Sequence, residues 1–178
     1  MQINHTRIVI SFNGEWSVAE SLKELCPSAF PSTVQVPGLI DLARPTFDEV
    51  GVESSRRNYF WYKTTFSSPD VLPEIALLKV RQAKYGMKAY LNGNEISEHP
   101  YNFTPVEFDI RDHLSQPGQE NELIIRLGAH PGLLPDYIVW GHDFEKIKYI
   151  PGIYDDVELI FSGGPFINNI QVAPDIRN

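Results

Sequence analysis

Apolar residues alternate with polar ones along most of the chain, the period-2 pattern of strands that bury one face. Ile8, Ile10 and Phe12 open the series, and Phe60, Tyr62, Thr64 and Phe66 form a second set. Ala76, Leu78 and Val80 follow, then Met87, Ala89 and Leu91, then Val106, Phe108 and Ile110. Leu123, Ile125 and Leu127 make the next, and Val157, Leu159 and Phe161 the last clear one. Asn13-Gly14, Pro37-Gly38, Asn92-Gly93, Pro117-Gly118, Pro131-Gly132 and Gly163-Gly164-Pro165 punctuate these runs as turn or loop signals. The pattern predicts an all-β fold of about seven or eight mostly antiparallel strands, a β-sandwich or jelly roll rather than an α/β sheet. Helical periodicity is confined to Ala19–Leu25 and a single turn at Ile110–Leu114, so one or two short helices are expected.

The run Lys88–Ile110 is the most specific local signal. Asn92-Gly93 between two alternating runs predicts a two-residue hairpin loop, because both residues tolerate the positive φ that such a loop needs twice. Two stretches break the strand rhythm, Pro37–Asn58 and Ala129–Pro151. Loops of that length in a compact domain usually bind something or meet a partner. After Gly163-Gly164-Pro165 the segment Phe166–Pro174 resumes a strand-like pattern with nothing after it to pair with. The expected division is therefore a domain over 1–163 and, over 164–178, a linker with the first strand of a following domain.

With 178 residues there is room for one domain with a real core, and the 14 Pro and 12 Gly fit a turn-rich sandwich. A net charge of −8 and the lack of a Lys/Arg stripe argue against nucleic-acid and anionic-membrane partners. No apolar run approaches the ~20 residues that span a bilayer. The opening residues carry no secretory signal, so a soluble protein of the bacterial cytoplasm or periplasm is expected, with the compartment left open. Cys26 alone can form no internal disulfide, and it is read as a half-buried structural thiol. Asn4-His5-Thr6 and Asn102-Phe103-Thr104 match the glycosylation sequon, a weak three-residue pattern.

Catalytic chemistry finds little support. Glu53, Asp136, Asp143, Glu145, Asp155 and Asp156 fall near the long loops, but nothing singles out a carboxylate pair in an apolar cleft, and each is read as a solvated or ion-paired acid. The five His residues show no metal-ligand spacing, no Gly-x-Ser-x-Gly elbow is present, and Gly-rich phosphate loops are missing. No metal site or cofactor is expected; calcium is left open, with no ligand set legible. Sugar binding is the more natural chemistry, since pyranose C–H faces stack on Tyr and Trp while Asp, Asn and Arg grip hydroxyls. The loops supply Arg44, Asp48, Arg56, Arg57, Asn58, Tyr137, Trp140, His142 and Asp143. Trp61 and Tyr62, in a strand, are read as core or interdomain packing.

Several short motifs, in order, resemble the N-terminal sugar-binding domain of glycoside hydrolase family 2. Phe12-Asn-Gly-Glu-Trp16 is similar to its opening motif, Val36-Pro-Gly38 to the segment before its long loop, and Asn58-Tyr-Phe-Trp-Tyr-Lys63 to the aromatic strand that follows. The Lys88–Leu114 run, Asn121-Glu-Leu123 and Pro151-Gly-Ile-Tyr-Asp-Asp-Val-Glu-Leu159 continue the match over most of the chain. The resemblance implies a galactose-binding-domain-like jelly roll at the front of a β-galactosidase-like or β-glucuronidase-like enzyme. Its catalytic carboxylates would belong to a downstream TIM barrel, reached through an Ig-like domain. The dipeptides Asn94-Glu95 and Asn121-Glu122 stand at a hairpin turn and a strand entry, not at the family's catalytic Asn-Glu. Gly141-His-Asp-Phe144 resembles a loop that reaches into the barrel, which makes Asp143, with His142 and Trp140, the candidate substrate contacts. The stretch from Asp143 to Gly152 is longer than in those members, and Asp155 stands where Arg is common. The implied function is a non-catalytic module of a family 2 glycosidase acting on a carbohydrate substrate. The alternatives are a stand-alone lectin-like carbohydrate-binding module and a complete small hydrolase.

Overall fold

The structure, a computed structural model, describes residues 7–141 and 145–174. Within them the chain forms, in order, β1 (Ile8–Ser11), β2 (Gly14–Ser21), β3 (Ser32–Val36), β4 (Gly38–Leu39), β5 (Tyr59–Ser67), β6 (Ile75–Val80) and β7 (Ala83–Lys84). There follow β8 (Met87–Leu91), β9 (Asn94–His99), β10 (Val106–Asp109), β11 (Glu120–Gly128), β12 (Gly152–Ile153) and β13 (Val157–Ser162). A four-stranded sheet, β1-β13-β6-β10, faces a six-stranded sheet, β3-β2-β5-β11-β8-β9, and the short strands β4-β12-β7 form a third sheet. Every strand pair is antiparallel, so the molecule is the expected all-β jelly-roll sandwich. No helix among the described residues is long and apolar enough to cross a membrane.

The alternation read from the sequence is the core. Leu78, Val80, Phe108, Val157 and Leu159 project from the smaller sheet onto Trp16, Val18, Phe60, Tyr62, Leu91, Leu123, Ile125 and Leu127 of the larger one. Each large side chain so buried contributes roughly 1.5–3 kcal/mol. The hairpin is also as expected. Asn92 and Gly93 have φ of 53° and 78°, and they join β8 directly to β9.

Asn92 does more than turn the chain. Its amide donates to the carbonyl of His113 (2.9 Å) and to Asn121 Oδ1 (2.9 Å), while its own oxygen accepts from the Glu122 amide (2.9 Å). Asn121, fully buried, accepts from the Ser115 amide and donates to Ser68 Oγ (2.8 Å). The Asn121-Glu122 dipeptide is thus a structural clamp at the hairpin end.

Three expectations are corrected. The segment Ala19–Leu25 is not helical: β2 runs through Ser21 with Ala19 paired opposite Trp61, and Leu22 and Leu25 lie exposed rather than forming the buried stripe of a helix. Short 3-10 turns at Ile40–Leu42, Arg111–His113 and Pro131–Leu133 are the helical elements among the described residues, the second falling where a turn was expected. Ile8 and Ile10 alternate without being buried, at 47% and 41% exposure, because β1 is an edge strand paired only with β13. Cys26 is exposed instead of half-buried.

Residues 165–174 join no sheet. Asn168 donates to Glu107 (3.0 Å) and Phe166 lies under Arg7, while Ile167, Ile170 and Val172 face outward.

Candidate functional site

The two long loops come together at one end of the sandwich. Strand β12, at the end of the second loop, pairs with β4 in the first, and the Ile40 amide donates to the Pro151 carbonyl (3.0 Å). The Tyr149 amide donates to the Gly51 carbonyl (2.8 Å), and Ala129 N to the Asn58 carbonyl (2.8 Å). Gly51 is a close-approach position: its φ is +82°, and a Cβ there would stand 3.0 Å from Ile150 and 3.2 Å from the Tyr149 nitrogen.

Polar groups buried under this surface fix the loops. Arg57, only 2% exposed, pairs with Glu20 on β2 and donates to the carbonyls of Asp48 (2.5 Å) and Glu49 (3.3 Å). Asn102, 1% exposed, holds the second loop: its amide nitrogen donates to the Val139 carbonyl (2.9 Å) and its side-chain oxygen accepts from Gly86 N (3.2 Å). The Tyr154 hydroxyl donates to the Asn102 carbonyl (2.5 Å). Both ends of the Asn102 side chain, the first residue of the second sequon, are thus engaged within the fold. Burial and, less, the Lys146 charge lower the pKa of the Lys84 ammonium on β7 at the same end.

Trp140 is half-buried, with its ring edge-on to Tyr149 (centroids 4.9 Å apart, planes at 82°). Gly141 follows with φ +78° and packs against Phe103, where a Cβ would sit 3.0 Å from the ring. His142 and Asp143 lie outside the described residues. Tyr137, Val139 and Ile147, on the same loop, are 77%, 74% and 86% exposed. The result is an aromatic and apolar surface standing on a rigid polar base, able to stack on a sugar face or to pack on another domain.

The remaining candidates have other work. Arg56 pairs with Asp48 at the surface, Arg44 donates to the Ala43 carbonyl (2.9 Å), and Asn58 donates to the Leu22 carbonyl (3.0 Å). Asp156 accepts from Asn13 (2.7 Å), and Asp155 accepts from the Asp156 amide (2.7 Å). The Glu53 side chain, 82% exposed, stands 4.0 Å from His130. No pair of these acids is enclosed by apolar walls. Among the described residues no group of three or more His, Cys, Asp or Glu is placed to hold a metal ion. Tyr62 is core, and Trp61 is buried on the opposite face of its strand, its indole N–H donating to Ser21 Oγ (2.7 Å).

A polar cluster on the outer face of the six-stranded sheet went unread in the sequence. Glu24, in the β2–β3 connection, lies 2.7 Å from Lys88 Nζ and 3.1 Å from Arg126 Nη2. The hydrogen bond from Lys88 holds the Glu24 carboxyl below the usual carboxylate range, and the pair raises Lys88 in turn. The available signal was Arg126 itself, a charge inside the apolar run Leu123-Ile-Ile-Arg-Leu127 of a central strand.

No protein-family model matches the chain, and a search of curated proteins found no match either. Solved structures do match. A Bifidobacterium dentium β-glucuronidase, complexed with coumarin-3-O-glucuronide, superposes with a TM-score of 0.67 at 20% identity, over 90% of this chain and 31% of its own. A Ruminococcus gnavus β-glucuronidase gives 0.64 at 21% identity, over 91% of this chain and 30% of its own. A β-D-mannosidase from Dictyoglomus thermophilum gives 0.63 at 21% identity, over 85% of this chain and 22% of its own. The likeness is one of fold, and the chain spans less than a third of the length of the glycosidases it matches.

Proposed function

We propose that the chain is a non-catalytic sugar-binding and docking module of a family 2 glycosidase, β-glucuronidase-like or β-galactosidase-like, that hydrolyses O-glycosidic bonds when joined to its barrel. The carrying observation is the superposition over nine-tenths of this chain on less than a third of two β-glucuronidases. The merged loops add a physical reason, because an exposed aromatic and apolar surface on a rigid base suits packing against a neighbouring domain. In this reading 164–178 leads toward an Ig-like domain, and the Trp140–Asp143 segment completes the substrate pocket of the barrel, with Asp143 and His142 assigned as substrate contacts.

The test is made in the complete enzyme. Asp143→Asn should lower kcat/KM by about tenfold or more, the loss of one charged hydrogen bond to substrate. Unchanged kinetics would sink the assignment of that loop. Tight binding of a free sugar by the 178-residue chain alone would favour the stand-alone lectin-like module instead.

A further inference from the structure

A polar cleft of about 160 Å³ opens at the end of the six-stranded sheet, where Glu24, Tyr59, Tyr85, Glu98 and Arg126 meet Leu133–Pro135. On this measure one water needs about 10–15 Å³, so the cleft takes a group of waters or a small ring.

Its donors are under-used. A guanidinium carries five N–H donors, and a buried one is stable only when they are engaged. Arg126 is 7% exposed, yet among the described residues its polar contact is the single Nη2–Glu24 pair, and its Nε is buried without a partner. The other contact of the guanidinium is with the Tyr59 ring, 4.9 Å away. Tyr85, 1% exposed and also lining the cleft, has a buried hydroxyl without a hydrogen-bond partner. Acceptors stand opposite: the side chains of Glu24 and Glu98 are 38% and 56% exposed.

Charge selects the ligand class. Lys88 lies 2.7 Å from Glu24 and 3.7 Å from both Glu95 and Glu98, so two cations, Lys88 and Arg126, face three carboxylates. An anion would meet net repulsion. A neutral polyol instead offers hydroxyls that accept from Arg126 and donate to the glutamates, while Pro100, Leu133 and Leu134 line a wall for C–H groups.

We propose that this cleft binds one ring of a neutral saccharide, as a subsite apart from the Trp140–Asp143 segment, with which it has only the Ala129–Pro151 loop in common through its Leu133–Pro135 wall. The experiment titrates the isotope-labelled chain with methyl glucoside, methyl galactoside and methyl mannoside into the millimolar range, with acetate as the anion probe, and follows NMR shifts. Saturable shifts are expected at the Gly86 amide and the Arg126 Nε–H with at least one glycoside, and none with acetate. Binding should weaken about tenfold in Arg126→Lys or in Glu98→Ala. Glu98 is at the surface, so E98A carries the test even where R126K fails to fold. No saturable shift with any glycoside, shifts with acetate instead, or equal affinity in every folded variant would overturn the proposal. Asp143→Asn should leave this titration unchanged, so its outcome is separate from that of the loop assignment.

Discussion

Arg57 is where the architecture of the loop end can be tested most directly. Replacing it with Met keeps the aliphatic stem and roughly the volume, so what is lost is the charge and its bonds to Glu20, Asp48 O and Glu49 O. Breaking a fully buried ion pair costs about 3–5 kcal/mol, but the Glu20 side chain is 30% exposed and water can reach it. The hydrogen bond from the guanidinium to the Asp48 carbonyl, charge-assisted, contributes about 1.5–3 kcal/mol, with the longer Glu49 contact adding less. Together these give roughly 2–4 kcal/mol, or a fall in Tm of about 5–15 °C for a domain of this size. Urea unfolding should show the shift in midpoint with an unchanged m-value. Amide exchange should quicken at Tyr149, whose hydrogen bond to Gly51 depends on the first loop keeping its place. Arg57→Lys should fall between wild type and Met, and Arg56→Met, at an exposed pair with Asp48, should leave the midpoint alone. A loss below about 1 kcal/mol in R57M, or one matched by R56M, would refute the view that this buried guanidinium fastens the loop.

Gly93→Ala should cost about 1 kcal/mol in denaturant unfolding and Gly93→Asn less, because a Cβ there meets nothing within 4 Å and only the φ of +78° is strained; equal costs would contradict this. Asn121→Leu removes the bonds to Ser115 N, Asn92 and Ser68, about 3 kcal/mol in all by calorimetry, and a neutral result would mean the clamp at the hairpin is idle. Glu24 and Glu107 both have depressed carboxyl pKa values, through hydrogen bonds from Lys88 and Lys79 first, with burial opposing. Their stabilisation is full above the ordinary value of 4.5 and is lost as pH falls through the lower folded values. The double variant E24Q/E107Q should therefore flatten the acid limb of stability against pH, and an unchanged limb would argue against both pairs.

What could be read from the sequence follows from the range of each interaction. Leu78, Leu91, Leu123 and Leu159 announce their burial through their immediate neighbours, and Asn92-Gly93 announces a turn through two residues. Such signals are local, and they located the long strands and the hairpin. Ala19–Leu25 misled because its apolar spacing fits a helix, while the pairing of Ala19 with Trp61 joins residues 42 apart. Ile8 and Ile10 misled because alternation does not say whether a strand is central or at an edge. The ties of Arg57 to Glu20 and of Arg126 to Glu24 were invisible for the same reason, being set by tertiary contact.

The sheet faces explain why the candidate chemistry sits where it does. The inner faces are spent on the core, and the outer face of the larger sheet is partly covered by the connection between β2 and β3. There Phe30 lies over the Lys63 ammonium at 4.5 Å and Glu24 over Lys88 and Arg126, while Trp61 below is 2% exposed. A ligand therefore meets backbone-anchored side chains chiefly at the ends of the strands. One such place is the joined loops around Trp140 and the other is the margin where that cover stops at Arg126. The two differ in kind: the first presents apolar side chains outward, as a surface that packs against another domain does, and the second encloses donors that its own residues leave unmet. The docking proposed for one and the ligand capture proposed for the other are thus separable, and a variant that abolishes either should spare its neighbour.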